Sequence, residues 1–264
     1  MKDKKQMIIS LSLTGLLLSS GANATSDEVE PMAAPPFSAA QLVAAEEDGV
    51  DLRKANLRPG LHIVTLAESW STDEQSKAIR TQIDQQQRQG FYDAGVEELV
   101  DMRTALKAEV ANMSGNAARH DRSFTSVEEV QAALRVTPIG LGTSGLSPAH
   151  TLDVRISGGL VGGRWTGLTR TFDLPDLGVV VLNETDHVAG HESVSVIKEW
   201  INVDIHGQPG SVRTARDASG KTLVTVGWAN ERKIYSLRLQ PQHPEQRDLN
   251  QLRLIEIAKA LQEG

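Results

Sequence analysis

The chain contains no cysteine. That excludes disulfides, thiolate metal sites, a thiol nucleophile and a lipid-carrying N-terminal cysteine. Aromatic residues are scarce as well, at 4% of the chain, so core anchoring is the ordinary role expected of each. Blocks of basic residues are missing, and the formal charge is −7. Without clustered Lys and Arg there is no footprint for a nucleic-acid backbone and none for anionic lipid headgroups. Long apolar runs are absent from the body of the chain. The longest strongly apolar stretch there, residues 178–182, has the length of a buried strand rather than of a membrane span.

What is present begins with an N-terminal export pattern. Lys2, Lys4 and Lys5 form a positive region, residues 7–18 form an uncharged apolar run, and Ala22-Asn23-Ala24 supplies small residues for cleavage. Residues 1–24 therefore read as a signal peptide, with a mature chain beginning at Thr25. The apolar run falls short of the roughly 20 residues a spanning helix needs, so release is expected rather than anchoring. The protein is expected to be exported, to the periplasm or the extracellular medium, with no membrane attachment after cleavage. Losing the three lysines and Asp3 takes the formal charge to −9. A chain of this size, with no disulfides, must rely on an ordinary hydrophobic core.

Residues 25–50 carry Pro31, Pro35 and Pro36 among small and acidic residues, a flexible leader with a short helix over 38–48. Residues 51–135 are predicted to be mainly helical after a strand at 61–66. Ser71-Thr72-Asp73-Glu74 is a capping-box signature opening a helix that Gly90 ends. Val96, Leu99, Leu106, Val110 and Met113 pattern an amphipathic helix over 96–113. It covers under three heptads, which favours packing on its own domain over a dimerising coil. Ser126 and Glu129 form a second capping box, for a helix ending near Leu134. Residues 136–264 turn β-rich, with strands at 151–157, 163–173, 178–183, 193–202, 210–216, 222–229 and 233–239 separated by turn residues. Successive strands with no helix between them favour antiparallel pairing. A helix over 244–262 closes the chain, with Leu252, Ile255 and Ala258 toward the sheet. The predicted class is α+β: N-terminal helices, an antiparallel β-meander, and a closing C-terminal helix.

Within this half stand the strand ending Ile205-His206-Gly207-Gln208-Pro209-Gly210, a strand over 222–228 finishing in Trp228, the run Ile234-Tyr235-Ser236-Leu237, and Ile257-Ala258-Lys259 in the last helix. On these motifs residues 203–261 resemble the extracytoplasmic C-terminal domain of bacterial anti-sigma and sporulation-type membrane proteins. The resemblance implies a small extracytoplasmic sensing or binding domain and carries over no catalytic residues. That family's domain is usually tethered by a transmembrane helix, which only an uncleaved signal would provide here.

The densest chemistry is Glu184 to Glu192 (ETDHVAGHE). On a helix His187 and His191 would share a face and bind zinc, with Glu192 as the nearby carboxylate. The order is not H-E-x-x-H, however, and Gly190 after an apolar strand indicates a hairpin loop. Gly158-Gly159 and Gly162-Gly163 lack the helix a phosphate cradle needs after them, and read as a turn or bulge. Gly142-Thr143-Ser144-Gly145 is not a nucleophile elbow. Trp165, Trp200 and Trp228 lie in the β-rich half, either as core anchors or as the lining of a ligand groove. No catalytic residue and no cofactor is indicated. The expectation is an exported, soluble, non-enzymatic binding or sensing protein acting on a protein or small molecule of the cell envelope. The alternative is a metal-assisted hydrolase using His187 and His191. The oligomeric state is left open.

Overall fold

The computed structural model describes residues 18–19, 60–69, 72–94, 99, 101–104 and 124–262. In chain order its elements are β1 (Leu18–Ser19), β2 (Gly60–Val64), α1 (Asp73–Gln89), β3 (Tyr92–Asp93), β4 (Thr151–Val161), β5 (Arg164–Leu174), β6 (Gly178–Asp186), β7 (Ser193–Ile197), β8 (Val203–Ile205), β9 (Gln208–Arg216), β10 (Thr222–Ala229), β11 (Lys233–Pro241) and α2 (Arg247–Ala260). Eight strands form the main sheet in the order β3-β9-β10-β11-β6-β5-β4, with β8 also on β9. A smaller sheet has the order β1-β7-β2.

The hairpins arise from local chemistry. Gly162 and Gly163 adopt φ of 57° and 74° between β4 and β5, the positive values a tight two-residue turn requires. Gly158-Gly159 sits at a register shift between Ser157 and Leu160, a bulge that bends the edge strand. Both glycine pairs are thus turn and bulge. The apolar stretch at 178–182 becomes β6, buried on both faces. Val180 and Leu182 join the principal core, together with Val224, Val226, Trp228, Tyr235, Leu237 and Leu239. On that face α2 contributes Leu254, Ile257 and Ala258, the i, i+3, i+4 stripe of a packed helix, and Leu261 just past its end joins them. On the other face, Val194 and Val196 of β7 and Leu61 of β2 pack with Ala229 and Ile234. Near them, Ile79 of α1 and Tyr92 meet Ile197, Trp200 and Ala215.

The fold is sheet-rich and mixed, with a C-terminal helix, consistent with α+β. Several finer expectations need correction. Pairing is not wholly antiparallel, because β2 runs parallel to β7 and β3 parallel to β9. The single strand expected at 193–202 is two: β7 ends at Ile197, a 3-10 turn spans Lys198–Trp200, and β8 belongs to the other sheet. Residues 126–134 form turns and one 3-10 turn (Gln131–Ala133) instead of an α-helix. Bridges from Phe124 to Val154 and from Leu134 to Trp165 hold both ends of that segment to the sheet. Val130, Leu134 and Val136 then fill the space beneath β4 and β5. The first capping box lies one residue later than expected, with Thr72 and Gln75 exchanging bonds, while Gly90 ends α1 at φ 78°. Leu252, expected toward the sheet, is 53% exposed, and Leu254 takes its place.

The helix expected over 96–113 lies outside the described residues, apart from Leu99 and residues 101–104. There Asp101 accepts from the Thr104 N–H at 2.7 Å as a helix cap. The signal and leader, residues 1–50, also lie outside the described residues except for Leu18–Ser19, which pair antiparallel with β7. Among the described residues no helix is long and apolar enough to cross a membrane.

Candidate ligand cleft

The acidic and histidine-rich segment is only partly a loop. β6 runs on through Asp186, so Glu184 and Asp186 are strand residues, and the turn begins at His187. The turn leads to β7 in the smaller sheet and is therefore a sheet-to-sheet crossing, not a hairpin. Glu184 is fully buried. Its Oε1 accepts from Arg170 Nη2 at 2.8 Å and its Oε2 accepts from the Ile139 N–H at 2.8 Å. The same Arg170 nitrogen also donates to the Ile139 carbonyl at 2.9 Å. Burial pushes the Glu184 carboxyl up, against the opposing pull of Arg170, the Ile139 N–H and Lys233. The ion pair therefore acts as a strut that pins the segment around Ile139 onto the sheet.

Asp186 accepts from Arg232 Nε and from the Ala189 N–H, both at 2.8 Å, closing the turn. His187 is buried with Nε2 3.2 Å from the Asn230 carbonyl, whereas His191 is exposed at φ 53°. The turn thus keeps one histidine inside and leaves the other at the surface. Glu192 is half-buried, and its carboxyl is pushed up by burial and by the Asp186 charge. Among the described residues no group of three or more His, Cys, Asp or Glu is arranged to hold a metal ion.

The three tryptophans do not share a groove. Trp228 stacks on Tyr235 at 4.9 Å in the principal core. Trp200 meets Tyr92 edge-on at 6.2 Å and lies beneath the Arg213 guanidinium at 5.0 Å. Trp165 packs against the cluster under β4. Each anchors a different part of the interior, and among the described residues they converge on no common site.

A cleft does open elsewhere, where α2 starts beside the ends of β9 and β10. It encloses about 660 Å³ and is lined by Phe91, Thr214, Arg216, Gly220, Thr222 and residues 244–249. Register explains its floor: Arg216 pairs with Thr222 and Thr214 with Val224, so these side chains lie on the sheet face that α2 covers. Ahead of α2's apolar stripe, which begins at Leu254, the head of the helix and this end of the sheet line the cleft. The β9–β10 turn is held by Asp217, whose Oδ1 accepts from Ser219 N, Ser219 Oγ and Lys221 N at 2.7–2.9 Å. Burial opposes the Asp217 charge, but these bonds and one from the Leu99 N–H outweigh it and hold the carboxyl below its usual range.

The opposite wall is tied to α1. Arg247 donates from Nη1 to the Gln89 carbonyl at 2.5 Å and from Nε to Asp248 Oδ1 at 2.6 Å. The cation thus sits on the last carbonyls of α1, where the helix dipole favours it. Gly90 has φ 78°, which favours glycine, and a Cβ there would lie 2.3 Å from Arg247 Nη1, so the end of that flexible side chain would have to move. Gln246, at the head of α2, makes no side-chain cap, which leaves the first-turn amides with donor capacity. The Arg216 guanidinium lies 5.1 Å from the centre of the Phe91 ring. The cleft therefore presents a cation, hydroxyls, helix amides and an aromatic face, which suit binding. It contains no nucleophile–base pair among its lining residues.

None of these cleft residues stands out in the sequence. They are drawn from three stretches more than 150 residues apart at the extremes, and no local spacing joins them. Comparison with protein-family models, with curated proteins and with solved structures finds no match to this chain.

Proposed function

We propose that the protein is an exported, non-enzymatic binding protein whose small ligand occupies the cleft at the head of α2. The cleft itself carries this reading: its volume falls within the range of small-molecule sites, and apolar and polar groups converge in it. The export pattern of residues 1–24 supports a processed chain starting at Thr25. The resemblance of residues 203–261 to extracytoplasmic sensing domains supports the same class, and most of the cleft is built from that stretch.

The test uses the processed chain and three simple aromatic probes: benzoate, benzyl alcohol and benzylamine. Leu249 lines the cleft and is 41% exposed, so Leu249→Trp fills the site without disturbing the core; Leu252→Trp lies outside the lining at similar exposure. At least one probe is expected to raise the melting temperature saturably and to be recovered unchanged. Leu249→Trp should abolish that shift and Leu252→Trp should preserve it. No shift with any probe, equal behaviour of the two variants, or turnover of a probe would overturn the proposal.

A further inference from the structure

We infer that this cleft selects a small organic anion, a carboxylate or phosphate monoester joined to a flat apolar group. The inference rests on the binding role proposed above and specifies its ligand class. Arg216 is the cation best placed for the work, because it lines the cleft with its guanidinium 5.1 Å from the centre of the Phe91 ring. No carboxylate among the described residues forms an ion pair with it. Thr222 lies directly across the strand pair from Arg216, so its hydroxyl and the guanidinium belong to one patch. Thr222 lines the cleft and is 7% exposed, and its hydroxyl is not among the buried side-chain atoms left without a partner, so it keeps access to the cleft.

The uncapped first turn of α2 adds amide donors and the positive end of its dipole to the same space. The acidic residues of the lining are turned to other duties. Asp248 is bonded to Arg247, which holds its carboxyl below its usual range. Glu245 lies beside His243 at 3.3 Å and is 67% exposed. The Phe91 face then suits the flat part of a ligand whose charged end reaches Arg216 and Thr222.

Calorimetric titration of the processed chain separates the possibilities. Benzoate or phenyl phosphate should bind saturably, while benzyl alcohol and benzylamine should bind at least about tenfold more weakly. Arg216→Ala should weaken the anion about tenfold or more, and Thr222→Val several-fold. If the neutral or cationic probe binds and the anions do not, the anion inference falls and the cleft reading stands. Anion binding that is indifferent to Arg216→Ala also overturns the inference, because the anion then sits elsewhere. If no probe binds, both fall. Should Thr222→Val fail to fold, the Arg216 variant decides alone.

Discussion

Two carboxylates of the same strand-and-turn segment show how environment assigns opposite roles to one residue type. Glu184 is buried against Arg170 and bonded to Ile139. Taking such a pair out of water is costly, and breaking it leaves an uncompensated buried charge, worth about 3–5 kcal/mol. Glu184→Gln is therefore expected to lower stability by that amount in urea denaturation, since the amide can still accept from Ile139 but cannot neutralise Arg170. Arg170→Gln added to it should recover most of the loss, because two neutral amides restore the bonding pattern without a charge. Equal or additive losses in the two variants would show that charge pairing is not what holds the site. Glu192 works the other way. Burial and the Asp186 charge raise its folded pKa, so ionising it costs the folded state more than the unfolded one. That cost is absent below the unfolded pKa of about 4.3 and is complete once pH rises past the folded value. Glu192→Gln should accordingly raise the melting temperature at pH 7 and change it little near pH 4. The same gain at both pH values would rule out this cause.

At the level of elements, the β8–β9 hairpin turns through His206 at φ 55° and Gly207 at φ 77°, with Asp204 Oδ1 accepting from the Gly207 N–H at 2.9 Å. Asn, Asp and His all enter the left-handed region more readily than other non-glycine residues, and Asn-Gly is the favoured pair for such a turn. His206→Asn should stabilise the protein modestly, read as a higher denaturation midpoint with unchanged slope. A midpoint at or below that of the parent would contradict the strain argument. Turns of this kind are the legible part of the fold: glycine pairs and alternating side chains announce the β4–β5 hairpin, the bulge and β9 to β11. The illegible part depends on distant partners. Residues 193–202 read as one strand because nothing local marks the break after Ile197. The break is stabilised from 133 positions away, where the Leu66 N–H donates to the Glu199 carboxylate. Likewise the capping box at Ser126 is a sound local signal, but bridges at Phe124 and Leu134 override it. The cleft is hidden for the same reason, since it exists only where β10 and the head of α2 meet the residue after Gly90.

For the whole molecule, the sequence suggests a helical region over 51–135 standing before a β-rich domain over 136–264. The described residues instead weave the two together. β3 pairs with β9, β2 pairs with β7, Gln86 Oε1 accepts from the Thr214 N–H at 2.9 Å, and Arg247 holds the end of α1. A shared cluster of Ile79, Tyr92, Ile197, Trp200 and Ala215 seals the junction. Tyr92 is 5% exposed with its ring edge-on to Trp200, so truncating it removes an aromatic side chain from both partners' interior. Large-to-small changes at such positions cost about 3–5 kcal/mol. If residues 60–94 are an integral part of one cooperative unit, denaturant should unfold the protein in a single transition, with far-ultraviolet circular dichroism and tryptophan fluorescence coinciding. Tyr92→Ala should then lower both midpoints together by the same free energy. A variant in which fluorescence shifts while the circular-dichroism transition of the sheet stays in place would mean that the junction opens by itself. In that event the wall of the cleft formed by Phe91 would be a mobile edge rather than a fixed face, and ligand binding would weaken in step with the fraction of molecules in which that edge is undocked.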